Sequence, residues 1–140
     1  MTSDSIKIFV ADDVSDSGLQ PLRAAGFRVE KRTGLESDAL REALRDCEGL
    51  VVRSETKVTA ELMDSASSLR VIGRAGVGVD NIDVPAATAR GIVVMNAPDG
   101  NTITTAEHTI ALLVALARSV PQANASLRSG KWERKRFIGV

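Results

Sequence analysis

The sequence is poor in cysteine, histidine, aromatic residues and long apolar runs, and each shortage excludes a class of protein. Its one cysteine, Cys47, cannot form a disulfide within the chain and suits a reducing, cytoplasmic compartment. We interpret Cys47 as a core residue. The longest unbroken apolar run begins at Ile110 and ends at Ala117, far short of the about 20 residues that cross a bilayer. The sequence therefore predicts no membrane segment.

An excess of charge and a set of metal ligands are also lacking. Lys and Arg number 18, as do Asp and Glu, so the formal net charge at pH 7 is zero and we expect no nucleic-acid partner. The only histidine, His108, lies in the first turn of a predicted packed helix, where a structural role is expected. No Ser or Cys nucleophile has a histidine at a recognisable spacing, and no ligand cluster exists for a metal. We assign no catalytic residue and no metal site.

Apolar runs alternate with helical patterns through the first hundred residues. Strands are predicted at residues 6–11, 27–33, 50–52, 70–74 and 92–95, with a helix after each of the first four. Strands that alternate with helices over short connections form a parallel sheet with right-handed crossovers. The fold class is therefore α/β, a flavodoxin-like, doubly wound, five-stranded parallel sheet with strand order 2-1-3-4-5.

Local signals set the expected helix ends. Thr59 and Asp83 are predicted N-caps of the third and fourth helices. Leu40, Leu44 and Cys47 recur at helical spacing, and Gly49 is expected to end that second helix.

The last forty residues form a C-terminal helical extension to a sheet that is already complete. Thr104 and Glu107 match a capping box at the head of a helix that runs to about Ser119. Residues 110–117 are apolar on every side of this helix, which predicts burial on every side, against another domain or another copy of the chain. A short helix over residues 123–127 follows, and we interpret residues 131–137 as a solvated hairpin rather than a binding patch.

A glycine-rich turn after the fourth strand marks the candidate site. Residues 75–78 include glycines that permit positive φ, and they follow a buried strand just before a helix. Arg53 and Ser54 follow the third strand, so they are expected at the same edge of the sheet. An arginine and a hydroxyl beside free N–H groups form a candidate receptor for a carboxylate or phosphate. Alternatively, the glycines serve only the turn, and Arg53 pairs with a surface acid.

Two better-known sites with this placement are not supported. Residues 76–81 miss the G-x-G-x-x-G dinucleotide fingerprint, because Asn81 replaces the third glycine and the acidic residue expected about 20 positions later falls at neutral Asn96. The acidic pair at 12–13 is similar to that of a phosphorylation receiver domain. Arg53 stands where such a domain needs its phosphate-accepting aspartate.

Longer stretches of the chain resemble one enzyme family. Residues 49–59, 71–83, 94–98, 104–118 and 130–134 are similar, in order and without gaps, to D-3-phosphoglycerate dehydrogenases within the D-2-hydroxyacid dehydrogenases. The resemblance implies oxidation of 3-phosphoglycerate to 3-phosphohydroxypyruvate with NAD, the committed step to serine. It also implies that residues 1–100 form a substrate-binding domain. Residues 101–140 would begin a cofactor domain whose helix builds a dimer interface.

The resemblance also implies roles for particular positions. Arg53, Ser54, Arg74 and Asn101 fall where the family contacts the acid and phosphate groups of its substrate. The loop that contains Gly76, Val77 and Gly78 falls beside the substrate carboxylate, and Val77 also falls beside the nicotinamide.

The family's cofactor fingerprint and its catalytic Arg, Glu and His would all come after Val140. We therefore expect an N-terminal fragment of the enzyme that binds no NAD tightly and does not turn over alone. The alternative is a non-catalytic flavodoxin-like module that pairs with itself, as a homodimer or larger, through the helix that contains residues 110–117.

Overall fold

A five-stranded parallel sheet forms the centre of the first of two compact units in the computed structural model, which describes residues 6–139. Its strands pair in the order β2-β1-β3-β4-β5, with every pair parallel, which confirms the predicted fold class. The strands are β1 (Lys7–Val10), β2 (Arg28–Lys31), β3 (Gly49–Val52), β4 (Val71–Arg74) and β5 (Val93–Asn96).

Four helices connect these strands: α1 (Asp16–Ala24), α2 (Ser37–Leu44), α3 (Ala60–Asp64) and α4 (Val84–Ala89). The two predicted N-caps are confirmed. The Thr59 hydroxyl accepts the N–H of Leu62 at 3.3 Å, and the Asp83 carboxylate accepts the N–H of Ala86 at 2.9 Å. Such caps each stabilise a helix by about 1 kcal/mol, which matters for helices this short.

The core of this unit lies around the central strands. Phe9, Leu50 and Ile72, one from each of β1, β3 and β4, are at most 1% exposed. Cys47 is also fully buried, which confirms its interpretation as a core residue, and burial raises the pKa of its thiol. The sheet is therefore stabilised by apolar side chains that its own helices cover.

The predicted end of the second helix is wrong. Helix α2 ends at Leu44, and Cys47 lies in the turn that follows, where its Sγ donates to the Ala43 carbonyl oxygen at 3.1 Å. Gly49 begins β3 instead of ending a helix. A Cβ there would lie 3.2 Å from Ile8 Cγ1, so a close strand contact accounts for this glycine.

The second unit begins at Asn101 and contains α5 (Thr102–Ala117), α6 (Val120–Arg128) and a 3-10 turn (Arg134–Arg136). Helix α6 is longer than the predicted 123–127 and includes Pro121 in its first turn, where its missing N–H costs nothing. The predicted hairpin is wrong, because a 3-10 turn occupies the middle of residues 131–137.

The predicted capping box is also wrong. The N-cap of helix α5 lies three residues earlier, at Asn101, whose side chain makes no capping hydrogen bond. The N–H of Thr105 already bonds to the Asn101 carbonyl oxygen at 2.8 Å. Thr104 and Glu107 therefore lie inside the helix, past the position where a box can form.

The apolar side chains of α5 are exposed. The described residues of this chain therefore do not provide the burial on every side that the sequence predicts. Ile110 is 62% exposed, Leu113 65% and Leu116 73%. The helix carries apolar residues around its whole circumference, and residues 6–139 do not cover them.

Within the described residues, no one helix has both the length and the apolarity needed to cross a bilayer. Helices α5 and α6 meet those criteria only when taken as a pair, and they are bent by 65° at the break between them.

Candidate functional site

The candidate site lies at the carboxyl edge of the central strands. Strand β3 pairs with β1 on one side and with β4 on the other, so the segments that follow these strands come together. Asp12 follows β1, Arg53 follows β3, and Arg74 ends β4 opposite Val52. In open α/β sheets, ligands bind at this edge.

Asp12 is a buried carboxylate that holds the segment after β3. It is 1% exposed and accepts the backbone N–H groups of Arg53 at 2.6 Å, Glu55 at 3.3 Å and Thr56 at 3.1 Å. It also accepts the hydroxyl of Thr56. Hydrogen bonds to a carboxylate are stronger than neutral ones, so this acid fixes the backbone from Arg53 to Thr56.

Asn81 joins the same segment to β4. Its Nδ2 donates to the carbonyl oxygens of Arg53 at 3.0 Å and Thr56 at 2.7 Å, and its Oδ1 accepts from Nε of Arg74 at 2.9 Å. Nε of Arg74 also donates to the Arg53 carbonyl oxygen at 3.1 Å. Sequence reasoning noted Asn81 only as a missing glycine and missed this bridge.

The guanidinium of Arg74 is held by one of its three nitrogens. Its side chain is 12% exposed, and the two terminal nitrogens make no hydrogen bond to the described residues. Nη2 lies 3.9 Å from the Asp80 carboxylate, which is 87% exposed and so is a weak, solvent-screened partner. Arg74 can therefore present its terminal nitrogens to the two oxygens of an acid group.

The glycines of the turn are explained by space rather than by φ. Neither Gly76 nor Gly78 adopts a positive φ, contrary to the expectation from sequence. A Cβ at Gly76 would lie 2.6 Å from Nη1 of Arg74, and one at Gly78 would lie 2.9 Å from Oδ1 of Asp80. A side chain at Gly76 would therefore displace the guanidinium of Arg74.

The turn also carries unpaired donors. The carbonyl oxygen of Gly76 accepts from the N–H of Ala97 at 3.0 Å, and that of Val77 accepts from Nδ2 of Asn96 at 2.7 Å. These bonds fix the turn against the segment after β5. Among the residues from 6 to 139, none accepts the N–H groups of Val77 and Gly78.

Arg53 and Ser54 are exposed beside Arg74. Within the described part of the chain, no carboxylate forms an ion pair with Arg53, which speaks against the surface-pair alternative. The nearby acid Asp13 pairs instead with Lys31 at 2.7 Å, and that hydrogen bond lowers the pKa of Asp13. The side chain of Arg53 is therefore available to an anion.

The first unit thus brings together Arg53, Ser54, Arg74 and the turn with Gly76, Val77 and Gly78 at one edge. Asn101 and His108 belong to the second unit, and His108 is an exposed residue of α5. In the described residues, no three His, Cys, Asp or Glu side chains are placed to hold a metal.

The turn does not fit the pyrophosphate of NAD. The helix that follows it, α4, spans only Val84–Ala89, and Asn81 occupies the place of the glycine that lets such a helix pack closely. All polar atoms of the Asn81 side chain are already engaged.

Comparison with known proteins identifies the family. A family model described as the catalytic domain of D-isomer specific 2-hydroxyacid dehydrogenases matches residues 8–132. The chain belongs to this family. The D-3-phosphoglycerate dehydrogenase of Archaeoglobus fulgidus is 53% identical over 135 residues, which are 96% of this chain and 26% of that protein. The resemblance found in the sequence is confirmed.

Solved structures of similar chains give the same result. The TT0316 protein of Thermus thermophilus matches with a TM-score of 0.84 and 35% identity, over 96% of this chain and 45% of that one. An NAD+-bound 3-phosphoglycerate dehydrogenase of Entamoeba histolytica matches with a TM-score of 0.71 and 30% identity, over 81% of this chain and 40% of that one. This member of the 2-hydroxyacid dehydrogenase family spans about a quarter of the length of the curated relatives it matches.

Proposed function

We propose that the chain supplies the substrate-binding part of an NAD-dependent D-3-phosphoglycerate dehydrogenase, which oxidises 3-phosphoglycerate to 3-phosphohydroxypyruvate on the route to serine. The observation that carries the proposal is the pair of arginines, Arg53 and Arg74, beside the unpaired N–H groups of Val77 and Gly78. Relatives that bear this enzyme's name are 47% to 53% identical to the chain.

The chemistry of this edge suits a ligand with two acid groups. 3-Phosphoglycerate carries a carboxylate and a phosphate, and an arginine fork can donate two parallel hydrogen bonds to either. Arg53, Arg74 and the Ser54 hydroxyl bind the acid groups, and the N–H groups of Val77 and Gly78 hold the carboxylate. Gly76 leaves room for the guanidinium of Arg74.

The two units take different roles in this proposal. Residues 1–100 bind the substrate, and residues 101–140 begin the cofactor domain, from which Asn101 adds a contact to the substrate. NAD accepts the hydride and is held in the whole protein by residues outside this chain, with Val77 beside its nicotinamide. The site in the first unit contains no histidine to move a proton, and hydride transfer needs a held cofactor, so we expect no turnover by the 140 residues alone.

A titration of the 140-residue chain with 3-phosphoglycerate, followed by amide NMR, tests this function. We expect shifts at residues 53, 54 and 76–78, and weaker binding of glycerate, which lacks the phosphate. Arg53→Ala should weaken binding, whereas Arg45→Ala, at an exposed arginine of the segment after α2, should not. Equal binding of 3-phosphoglycerate and glycerate would contradict the proposal, as would an absence of shifts at about 10 mM ligand.

A second function is favoured by the exposed apolar surface of α5. Ile110, Leu113 and Leu116 are each more than half exposed, and contiguous apolar surface of this kind marks an interaction site. In this alternative the chain is a flavodoxin-like module that pairs with itself through α5, as a homodimer or larger. Self-association and substrate binding are compatible, because they use different residues.

A further inference from the structure

Asp12 and Asn81 have no polar atom left for a ligand. Both carboxylate oxygens of Asp12 accept hydrogen bonds from the segment after β3. Asn81 uses Nδ2 for two carbonyl oxygens and Oδ1 for Arg74. Any effect of these two side chains on a ligand must therefore act through the groups that they hold.

Those groups belong to Arg53, Ser54 and Arg74, the residues to which the proposed function assigns the acid groups of the substrate. The N–H of Arg53 is bound by Asp12 at 2.6 Å, and its carbonyl oxygen is bound by Asn81 at 3.0 Å and by Arg74 at 3.1 Å. With both backbone polar groups held, the direction in which the Arg53 side chain leaves the backbone is fixed. Ser54 lies between Arg53 and the N–H groups of Glu55 and Thr56 that Asp12 also binds, so its backbone is held from both sides.

The Arg74 side chain is held in a similar way. Its Nε lies between Oδ1 of Asn81 and the carbonyl oxygen of Arg53, which fixes the plane of the guanidinium while the terminal nitrogens stay unbonded. An arginine on the surface normally loses rotamer freedom when it binds a ligand. Here that freedom is already lost before the ligand arrives, which favours binding.

We propose that Asp12 and Asn81 are positioning residues of the acid-binding site, which hold Arg53, Ser54 and Arg74 as one preorganised set. The inference rests on the proposed function, since it assumes that this set binds 3-phosphoglycerate. Asp12 fixes the segment after β3, and Asn81 sets the distance between this segment and the guanidinium of Arg74.

The test uses the 15N-labelled 140-residue chain with Asn81→Ala and Asp12→Asn variants. Matched controls are Asn124→Ala, at an exposed asparagine of α6, and Asp13→Asn, at the neighbouring acid that pairs with Lys31 instead. Three quantities are measured for each: the dissociation constant for 3-phosphoglycerate, the Nε–H resonance of Arg74, and hydrogen exchange of the Thr56 amide without ligand. Melting temperature reports any purely structural effect.

We expect Asn81→Ala to weaken binding about tenfold and to broaden the Nε–H resonance of Arg74 by exchange with water. Asp12→Asn should weaken binding by a similar factor and accelerate exchange at the Thr56 amide, because an amide nitrogen cannot accept the N–H groups that a carboxylate accepts. The two controls should bind within about twofold of the wild type.

The outcomes separate this inference from the function on which it rests. If the wild type binds and Asn81→Ala binds as tightly as Asn124→Ala, the positioning role is wrong and the proposed function stands. If both variants lose affinity only in proportion to a loss of folded chain, with an unchanged Arg74 resonance, the positioning role is also wrong. If the wild type does not bind 3-phosphoglycerate, the proposed function is overturned, and the positioning role with it.

Discussion

The carboxyl edge of the sheet and helix α5 differ in how many contacts their side chains find within the chain. At the sheet edge, Asp12 and Asn81 find all of their partners within the first unit. In the second unit, Leu113 and Leu116 of α5 remain mostly exposed although their sequence is that of a buried helix. The polar contacts of the first unit are therefore made by its own residues, whereas residues 6–139 leave the apolar surface of α5 exposed.

The largest contrast is expected in stability. Ile72→Ala removes a fully buried side chain from β4 and should lower the free energy of unfolding by about 2–5 kcal/mol. Leu116→Ala removes a side chain that is 73% exposed and should change it by less than about 0.5 kcal/mol under conditions where the chain is monomeric. Urea unfolding measures both. Equal effects would show that α5 is buried in the chain by itself.

A charge on α5 should abolish self-association. Leu113→Glu places a carboxylate on the apolar surface, and an interface that buries it without a partner becomes strongly unfavourable. Sedimentation velocity at micromolar concentration should give a dimer or larger for the wild type and a monomer for the variant. Leu127→Glu, at an exposed leucine of α6, is the control that should stay associated. A monomeric wild type would contradict pairing through α5.

A methyl group in the turn should weaken the acid site without unfolding the sheet. Gly76→Ala pushes against Nη1 at the end of the Arg74 side chain rather than against backbone, so the chain stays folded while the guanidinium is displaced. We expect 3-phosphoglycerate to bind about tenfold more weakly. Gly73→Ala is the control, because a Cβ there meets nothing within 4 Å. Equal affinities of the two variants, measured by calorimetry, would show that Arg74 does not contact the ligand.

The smallest effect concerns the buried thiol of Cys47. Burial raises its pKa above the ordinary value of a thiol, so the neutral thiol is favoured in the folded chain. A pKa that is raised on folding gives stability that is present below the unfolded pKa and is lost as pH rises beyond it. The free energy of unfolding should therefore fall above about pH 9. Cys47→Ala, an apolar replacement, should flatten that part of the pH profile in chemical denaturation.

Features held by contacts close in sequence could be predicted, whereas features held by contacts between distant residues could not. The caps at Thr59 and Asp83 were predictable because each bonds a residue three positions along the chain. The role of Asn81 was not, because its bonds to Arg53 and Thr56 cross 28 and 25 positions and depend on the strand register. Arg53 was proposed from its place after the third strand, whereas Arg74 was proposed only from the family resemblance.

One wrong interpretation and one untested prediction have the same physical origin. Gly76 was interpreted by its freedom to adopt positive φ, whereas its environment is decided by the side chain of Arg74. The apolar pattern of α5 predicted burial against another domain or another copy of the chain, and this stays a prediction, because a pattern does not say which molecule covers the helix. Contacts between side chains distant in sequence are what a linear pattern leaves undetermined.

The buried carboxylate of Asp12 also couples ligand binding to the folding of the first unit. Its hydrogen bonds join residues that lie 41 to 44 positions apart, at the ends of the paired strands β1 and β3. Closing the chain over such a separation costs conformational entropy, and the same closure brings β1 and β3 together. Affinity for an acid should therefore appear and disappear with the sheet as a single cooperative event, and a bound acid should protect the whole first unit from unfolding.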